Sequence, residues 1–184
     1  MELVVPALPY LASYTDALKR GWSPDNTRLE AAPREELAKI AADPAAFVAS
    51  LDDREAKAGP ITLADGSQVP RLPGFRRWMW DGAFCGSIGF RWQRGTTALP
   101  PYTLGHIGYA VVPWKRRLGY ASRALGLMLD EARREGLAYV ELTTDPDNKV
   151  SQKVITANGG VFVERFRASI AHGEKEELRW RIPL

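Results

Sequence analysis

At 184 residues and 45% hydrophobic content, the chain is long enough for one domain with a sizeable core and too short to demand two. Its net charge of +3 is modest, and its basic residues are scattered apart from Lys115 to Arg117, which argues against a nucleic-acid partner. A single cysteine excludes an internal disulfide and a cysteine metal cluster, so no metal is expected.

Leu8 to Arg20 predicts a first helix, with Leu11, Tyr14 and Leu18 on one side and Gly21 as its stop. A polar stretch holding Trp22, Pro24 and Asn26 follows. Pro33 opens a second helix whose apolar face is Leu37, Ile40 and Ala41. Asp43-Pro44 supplies an N-cap and a first-turn proline for a third, with Phe47, Val48 and Leu51 turned inward. Residues 1–60 are thus a helical part expected to cover one face of a sheet. Ile61 to Val69 predicts a small hairpin about Asp65-Gly66, and Arg76 to Trp92 a larger one. In the larger, Trp78 and Trp80 alternate, Asp81-Gly82 turns, and Phe84, Gly86, Ile88, Phe90 and Trp92 alternate back, a period-two stripe read as core. Cys85 reads as a small buried hydrophobe. Gln93 to Gly105, with Pro100-Pro101, is a loop long enough to border a cleft.

The next stretch, His106 to Gly136, carries the most information. His106 to Val112 is β-branched, aromatic and small, as in a buried strand, and Pro113 ends it. From Ala121 the apolar residues fall at 121, 124, 125, 128, 129 and 132, the stripe of a helix packed on a sheet, with Gly136 as its stop. Between strand and helix lies Arg116-Arg117-Leu118-Gly119-Tyr120-Ala121. The first N–H groups of a helix lack internal partners and face the positive end of its dipole, and a glycine there lets the backbone approach an anion. The turn is built to grip phosphate. It is neither a Walker loop nor the three-glycine dinucleotide fingerprint.

Beyond it, Ala138 to Thr144 predicts a strand, Ser151 to Ala157 a short helix ended by Asn158-Gly159-Gly160, and Val161 to Arg167 and Leu178 to Ile182 two closing strands. The loop between these last two holds His172, expected to be solvated. No stretch is apolar enough to span a membrane, and Met1-Glu2-Leu3 has no basic run ahead of an apolar one, so a cytoplasmic protein without a membrane partner is expected.

Arg116-x-x-Gly119-x-Ala121 after an apolar strand resembles motif A of the GNAT acetyltransferase superfamily, whose pattern is Gln/Arg-x-x-Gly-x-Gly/Ala. Asp147-Asn148-x-x-Ser151, followed by Val154-Ile155 and Asn158-Gly159-Gly160, is similar to that family's next segment. The resemblance covers about Gly105 to Phe162, the expected acetyl-CoA-binding core (105–162). It implies an α/β fold, a GNAT-like mixed and mostly antiparallel sheet with flanking helices and a central strand–phosphate turn–helix unit. It further implies that the strand before the turn splays from the next one to admit the pantetheine arm of acetyl-CoA. Arg116, Arg117, Leu118, Gly119, Tyr120 and Ala121 would then hold the pyrophosphate. Val111 and Val112 would meet the pantetheine through their backbone, the N–H of Tyr109 or Val111 would polarise the thioester carbonyl, and Asn148 and Ser151 would line the opposite wall. The loop from Trp22 to Arg28 would lie near the acceptor.

The reaction implied is acetyl transfer from acetyl-CoA, as cosubstrate, to the amine of a small molecule or peptide. An ammonium must lose a proton before it attacks. His106 stands where many relatives carry a glutamate that takes it, and its ordinary pKa suits the task; the other reading is a structural histidine bonded to backbone. Glu141 is a second candidate base, expected at the surface or rim. The family's leaving-group tyrosine is replaced by Ile155, which keeps open a non-catalytic acyl-CoA-binding or sensor domain on the same fold. Oligomeric state is not readable from the residues.

Overall fold

The computed structural model describes residues 1–63 and 65–184, the side chain of Ala171 apart. Strand β1 (Glu2–Val4) leads into helices α1 (Leu8–Lys19), α2 (Ala31–Ala42) and α3 (Pro44–Ala49). Six strands follow: β2 (Asp52–Asp53), β3 (Ile61–Thr62), β4 (Gln68–Val69), β5 (Gly74–Trp80), β6 (Phe84–Arg91) and β7 (Ile107–Val111). The chain ends with α4 (Tyr120–Arg134), β8 (Tyr139–Thr144), α5 (Lys149–Thr156), β9 (Val161–Arg167) and β10 (Glu176–Pro183). The expected elements are present. Strands β1 and β2 are additions, two or three residues long and too short to carry an alternation. Ala64, inside the expected small hairpin, lies outside the described residues, and Ile61 pairs with Val69 around it. Asp43 caps α3 as its position predicts, its carboxylate accepting the Ala46 N–H at 2.9 Å.

Among the described residues the strands form three antiparallel sheets. One runs β1-β5-β6-β7 with β2 also on β5; a second runs β8-β10-β9; β3 and β4 make a third. The mixed α/β architecture is therefore divided at its middle, because β7 and β8, the two strands joined through α4, lie in different sheets.

Helices cover both faces of the first sheet. On one, Leu125, Met128 and Leu129 of α4 pack with Met79, Ile88 and Phe90, and this core continues to Val140, Leu142 and Ile155. On the other, Tyr14 and Leu18 of α1, Trp22 and Phe47 pack with Trp78, Phe84 and Val112. Tyr14 stacks on Trp78 at 4.5 Å between ring centroids, and Phe84 meets Tyr14 edge-on at 4.9 Å. Each such ring buries enough apolar area to contribute about 1.5–3 kcal/mol.

The single stripe expected along β6 is broken by a bulge. Met79 pairs with Gly86 but Trp80 with Phe84, so Cys85 is the extra residue. Phe84 therefore joins the α1 side while Ile88, Phe90 and Trp92 face α4. Gly86 has φ 150°, and a Cβ there would lie 2.3 Å from the Ala110 carbonyl oxygen, so the close approach of β7 requires glycine. Cys85 is buried, as expected, and burial pushes its thiol pKa up to about 12.

Candidate active site

Among the described residues, β7 and β8 are joined by backbone at one end. There the His106 N–H donates to the Glu141 carbonyl at 2.7 Å, and the Glu141 N–H donates back to His106 Nδ1 at 2.9 Å. A Cβ on Gly105 would stand 3.0 Å from the Glu141 carbonyl oxygen, so the strands meet tightly at this corner. Beyond it they part. The Arg91 N–H donates to the His106 carbonyl and the Val112 N–H to the Cys85 carbonyl, both at 2.9 Å. In an antiparallel ladder this fixes the alternation: even-numbered residues of β7 present their backbone to β6, and Tyr109 and Val111 present theirs to the gap.

At the open end stands the basic turn. Arg117 and Gly119 both have left-handed backbone, at φ 66° and 75°, and Gly119 occupies the N-cap of α4 without a capping side chain. No acidic residue lies in the first turn of α4, and its first recorded backbone bond runs from Arg123 to Gly119. The N–H groups of Tyr120, Ala121 and Ser122 thus have no partner within this 15-residue helix, and left-handed residues at 117 and 119 precede them. A Cβ on Gly119 would meet nothing within 4 Å, so space is open over the turn. The turn is tied back by Asp81, whose Oδ2 accepts from Lys115 Nζ at 2.8 Å and Tyr120 Oη at 2.7 Å. These bonds, Lys115 first, hold the Asp81 carboxyl well below the usual carboxylate range.

The acetyltransferase (GNAT) domain family matches residues 22–161. The chain belongs to the GNAT acetyltransferase family. Three solved acetyltransferases share the fold. The microcin self-immunity acetyltransferase MccE in complex with acetyl-CoA and AMP has TM-score 0.65 at 13% identity, over 99% of this chain and 91% of that one. RimL, a ribosomal alpha-N-protein acetyltransferase in complex with coenzyme A, has TM-score 0.64 at 14% identity, over 99% and 93%. A spermidine N-acetyltransferase from Vibrio cholerae has TM-score 0.50 at 14% identity, over 60% and 65%. No curated protein matches the sequence.

In this GNAT chain α5 lies close enough to β7 for a side-chain contact. Asn148 caps α5 through Oδ1, which accepts the Ser151 N–H at 3.1 Å. Ser151 Oγ is 2.7 Å from Tyr109 Oη, a bridge from α5 to β7. Burial raises the Tyr109 phenol to about 12, opposed by its bond to Ser151. The sequence singles out the Tyr109 N–H and not its hydroxyl, because the partner lies 42 residues away.

Several expectations need correction. Val112 is fully buried, its N–H engaged by Cys85 and its carbonyl by the Lys115 N–H, so its N–H has no place in the gap. Glu141 is 8% exposed rather than on the rim, with Arg181 Nη2 at 2.7 Å and Arg179 Nη1 at 3.1 Å. Burial pushes its carboxyl up, but these two guanidinium groups outweigh that and leave it below the usual range. His172 is not simply solvated, since its Nε2 lies 3.1 Å from the Tyr102 carbonyl oxygen.

His106 itself is fully buried. With Nδ1 accepting from Glu141, its Nε2, 3.0 Å from the Thr97 carbonyl oxygen, carries the proton. That is the neutral tautomer, and burial lowers its pKa from the ordinary value. Both ring nitrogens are engaged by backbone. Ile155, in the place of the family tyrosine, is fully buried in the α4-side core. Among the described residues no His, Cys, Asp and Glu cluster could hold a metal ion, and no helix is long and apolar enough to cross a membrane.

Proposed function

We propose that the protein is an acetyl-CoA-dependent N-acetyltransferase that moves an acetyl group to the amine of a small molecule or peptide by direct attack on the thioester. The observation that carries this reading is the gap between β7 and β8, opening beside the uncapped N-terminus of α4. The N–H groups of Tyr120, Ala121 and Ser122, with Arg116 and Arg117 beside them, would hold the pyrophosphate. Bare backbone at Gly119 admits it. Val111 would meet the pantetheine, and the Tyr109 or Val111 N–H would draw electron density onto the carbonyl oxygen. Asn148, whose Oδ1 is used as a cap, has its Nδ2 for the cofactor.

Acetyl-CoA supplies the acetyl group as an activated thioester. The amine nitrogen forms the new C–N bond as the C–S bond breaks, the amine proton goes to water, and the departing sulfur gains one proton. The Tyr109–Ser151 hydroxyl pair, which joins β7 to α5, would deliver that last proton. We assign His106 a positioning role, pinning β7 to β8, because neither of its ring nitrogens is open to an amine. Water suffices as acceptor of the first proton when the substrate is an α-amine, of which about a tenth is uncharged at pH 7.

The deciding assay is thiol release from acetyl-CoA over a panel of peptides, amino acids, polyamines and aminoglycosides. Release with at least one amine is expected. Tight acetyl-CoA binding with no release across the panel would instead mark a sensor domain.

A further inference from the structure

The face of the first sheet that looks toward α1 and α2 carries a guanidinium with no partner among the described residues. Arg91 ends β6, and because Ile88 and Phe90 point to the α4 side, Gly89 and Arg91 point to the opposite one. Arg76 of β5 points the same way and is bound there by Glu36 of α2 at 3.0 Å. Glu36 also accepts the Tyr14 hydroxyl. Arg76, Gly89 and Gly108 lie in one row across β5, β6 and β7. The two glycines leave a floor of bare backbone, and the nearest side-chain atoms to the places of their missing Cβ atoms belong to these arginines. Arg91 Nη2 is 3.9 Å from the position a Gly108 Cβ would take, and Arg76 Cγ is 3.7 Å from that of Gly89.

Arg91 is exposed to solvent, yet the surrounding protein, and then the like charge of Arg76, lower its pKa from the ordinary arginine value. The guanidinium thus reaches solvent while the protein around it withdraws part of its hydration. It remains charged at any pH of interest. Asp25, from the loop joining α1 and α2, acts on it from a distance, but that carboxylate is held by the Thr27 N–H and hydroxyl and the Arg28 N–H. Among the described residues Arg91 makes no ion pair and no side-chain hydrogen bond. Gly108 immediately precedes Tyr109, whose backbone faces away from β6.

We propose that Arg91 is the acceptor-recognition residue, and that the acceptor amine carries an anionic group, a carboxylate or a phosphate, which docks on its guanidinium over the Gly89–Gly108 floor. This rests on the acetyltransferase reading above and adds to it the charge class of the substrate. A planar fork with free donors binds carboxylate or phosphate through paired charge-assisted hydrogen bonds, and it repels a polyamine or aminoglycoside.

Matched amines test it: glycylglycine against its C-terminal amide, phosphoethanolamine against ethanolamine, with spermidine as the cationic control. The wild type should show kcat/KM at least about 10-fold higher for the anionic member of a pair, the scale of a charge-assisted contact. The better pair tells carboxylate from phosphate. Arg91→Gln should remove that preference and leave acetyl-CoA affinity unaltered, and Arg91→Lys should keep part of it. Thiol release that favours neutral amines or spermidine, or a preference that survives Arg91→Gln, overturns the assignment while leaving the acetyltransferase reading intact. A second measurement does not depend on turnover. With the phosphate turn saturated by coenzyme A, glutarate should shift the Gly89 and Gly108 amide resonances in the wild type and not in Arg91→Gln. Absence of that shift in the wild type with both glutarate and inorganic phosphate also overturns the proposal.

Discussion

His106→Ala separates a pinning role from a proton-transfer role most sharply. The substitution removes a fully buried ring and leaves two backbone groups, the Glu141 N–H and the Thr97 carbonyl, without their side-chain partners. An abandoned buried donor or acceptor costs about 1–3 kcal/mol each, and the space left by the ring adds to that, so about 3–6 kcal/mol is expected. That is a large share of the 5–15 kcal/mol typical of a domain. The pH dependence gives an independent sign. Burial lowers the His106 pKa in the fold, so below about 6.5 the unfolded chain binds a proton that the folded chain refuses. The stability supplied by the neutral ring is therefore whole above pH 6.5. It falls by up to about 1.4 kcal/mol per unit as pH drops from there toward the folded-state pKa. Urea unfolding of the wild type and of His106→Ala between pH 5 and 8 should show this slope in the first and its absence in the second. A variant with wild-type stability, unaltered acetyl-CoA affinity and turnover lowered about 10²-fold would refute the pinning role and restore the ring as general base.

Three further outcomes follow from the geometry. Gly119→Val puts a β-branched residue at φ 75°, costing the fold at least about 1–2 kcal/mol, and fills the space over the turn; calorimetry should show acetyl-CoA affinity collapsing, and unchanged affinity would remove the phosphate assignment. Tyr109→Phe and Ser151→Ala should each lower kcat, and since the Tyr109 phenol stays protonated up to about 12, the wild-type rate should rise with pH and plateau with no descending limb below pH 10; an alkaline limb abolished by Tyr120→Phe would transfer the acid role to Tyr120. Ile155→Tyr should destabilise the protein without raising turnover, because Ile155 is fully buried and Gly160 packs close against it, and a gain in rate would contradict this.

What the sequence reveals and what it hides divide by distance along the chain. The phosphate turn and α4 are legible because strand, proline, glycine and the apolar stripe are neighbours within some thirty residues, and each signal is local. The hairpin of β5 and β6 is legible too, but its phase is not. The bulge beside Gly86 is dictated by the approach of β7, so Phe84 lands in a core that alternation does not assign to it. The roles of His106 and Glu141 are set by partners elsewhere, Thr97 on one side and Arg179 and Arg181 on the other, and no spacing rule links them. Arg91 looks like any strand-end arginine until the Gly89–Gly108 row places bare backbone beneath it. The division of the sheet came only with the family resemblance, since periodicity says which residues are strands and not which strands part.

The corner at His106 and Glu141 has a consequence for how the molecule admits a ligand. Because the two ladders share no rung beyond it, each sheet keeps its full set of backbone bonds whatever the width of the gap. The contact that does cross it is made by side chains, Tyr109 on Ser151, so no backbone bond of either sheet has to break for a ligand to lie there. On the function proposed above, acetyl-CoA would meet there the Tyr109 and Val111 N–H groups, which face away from β6.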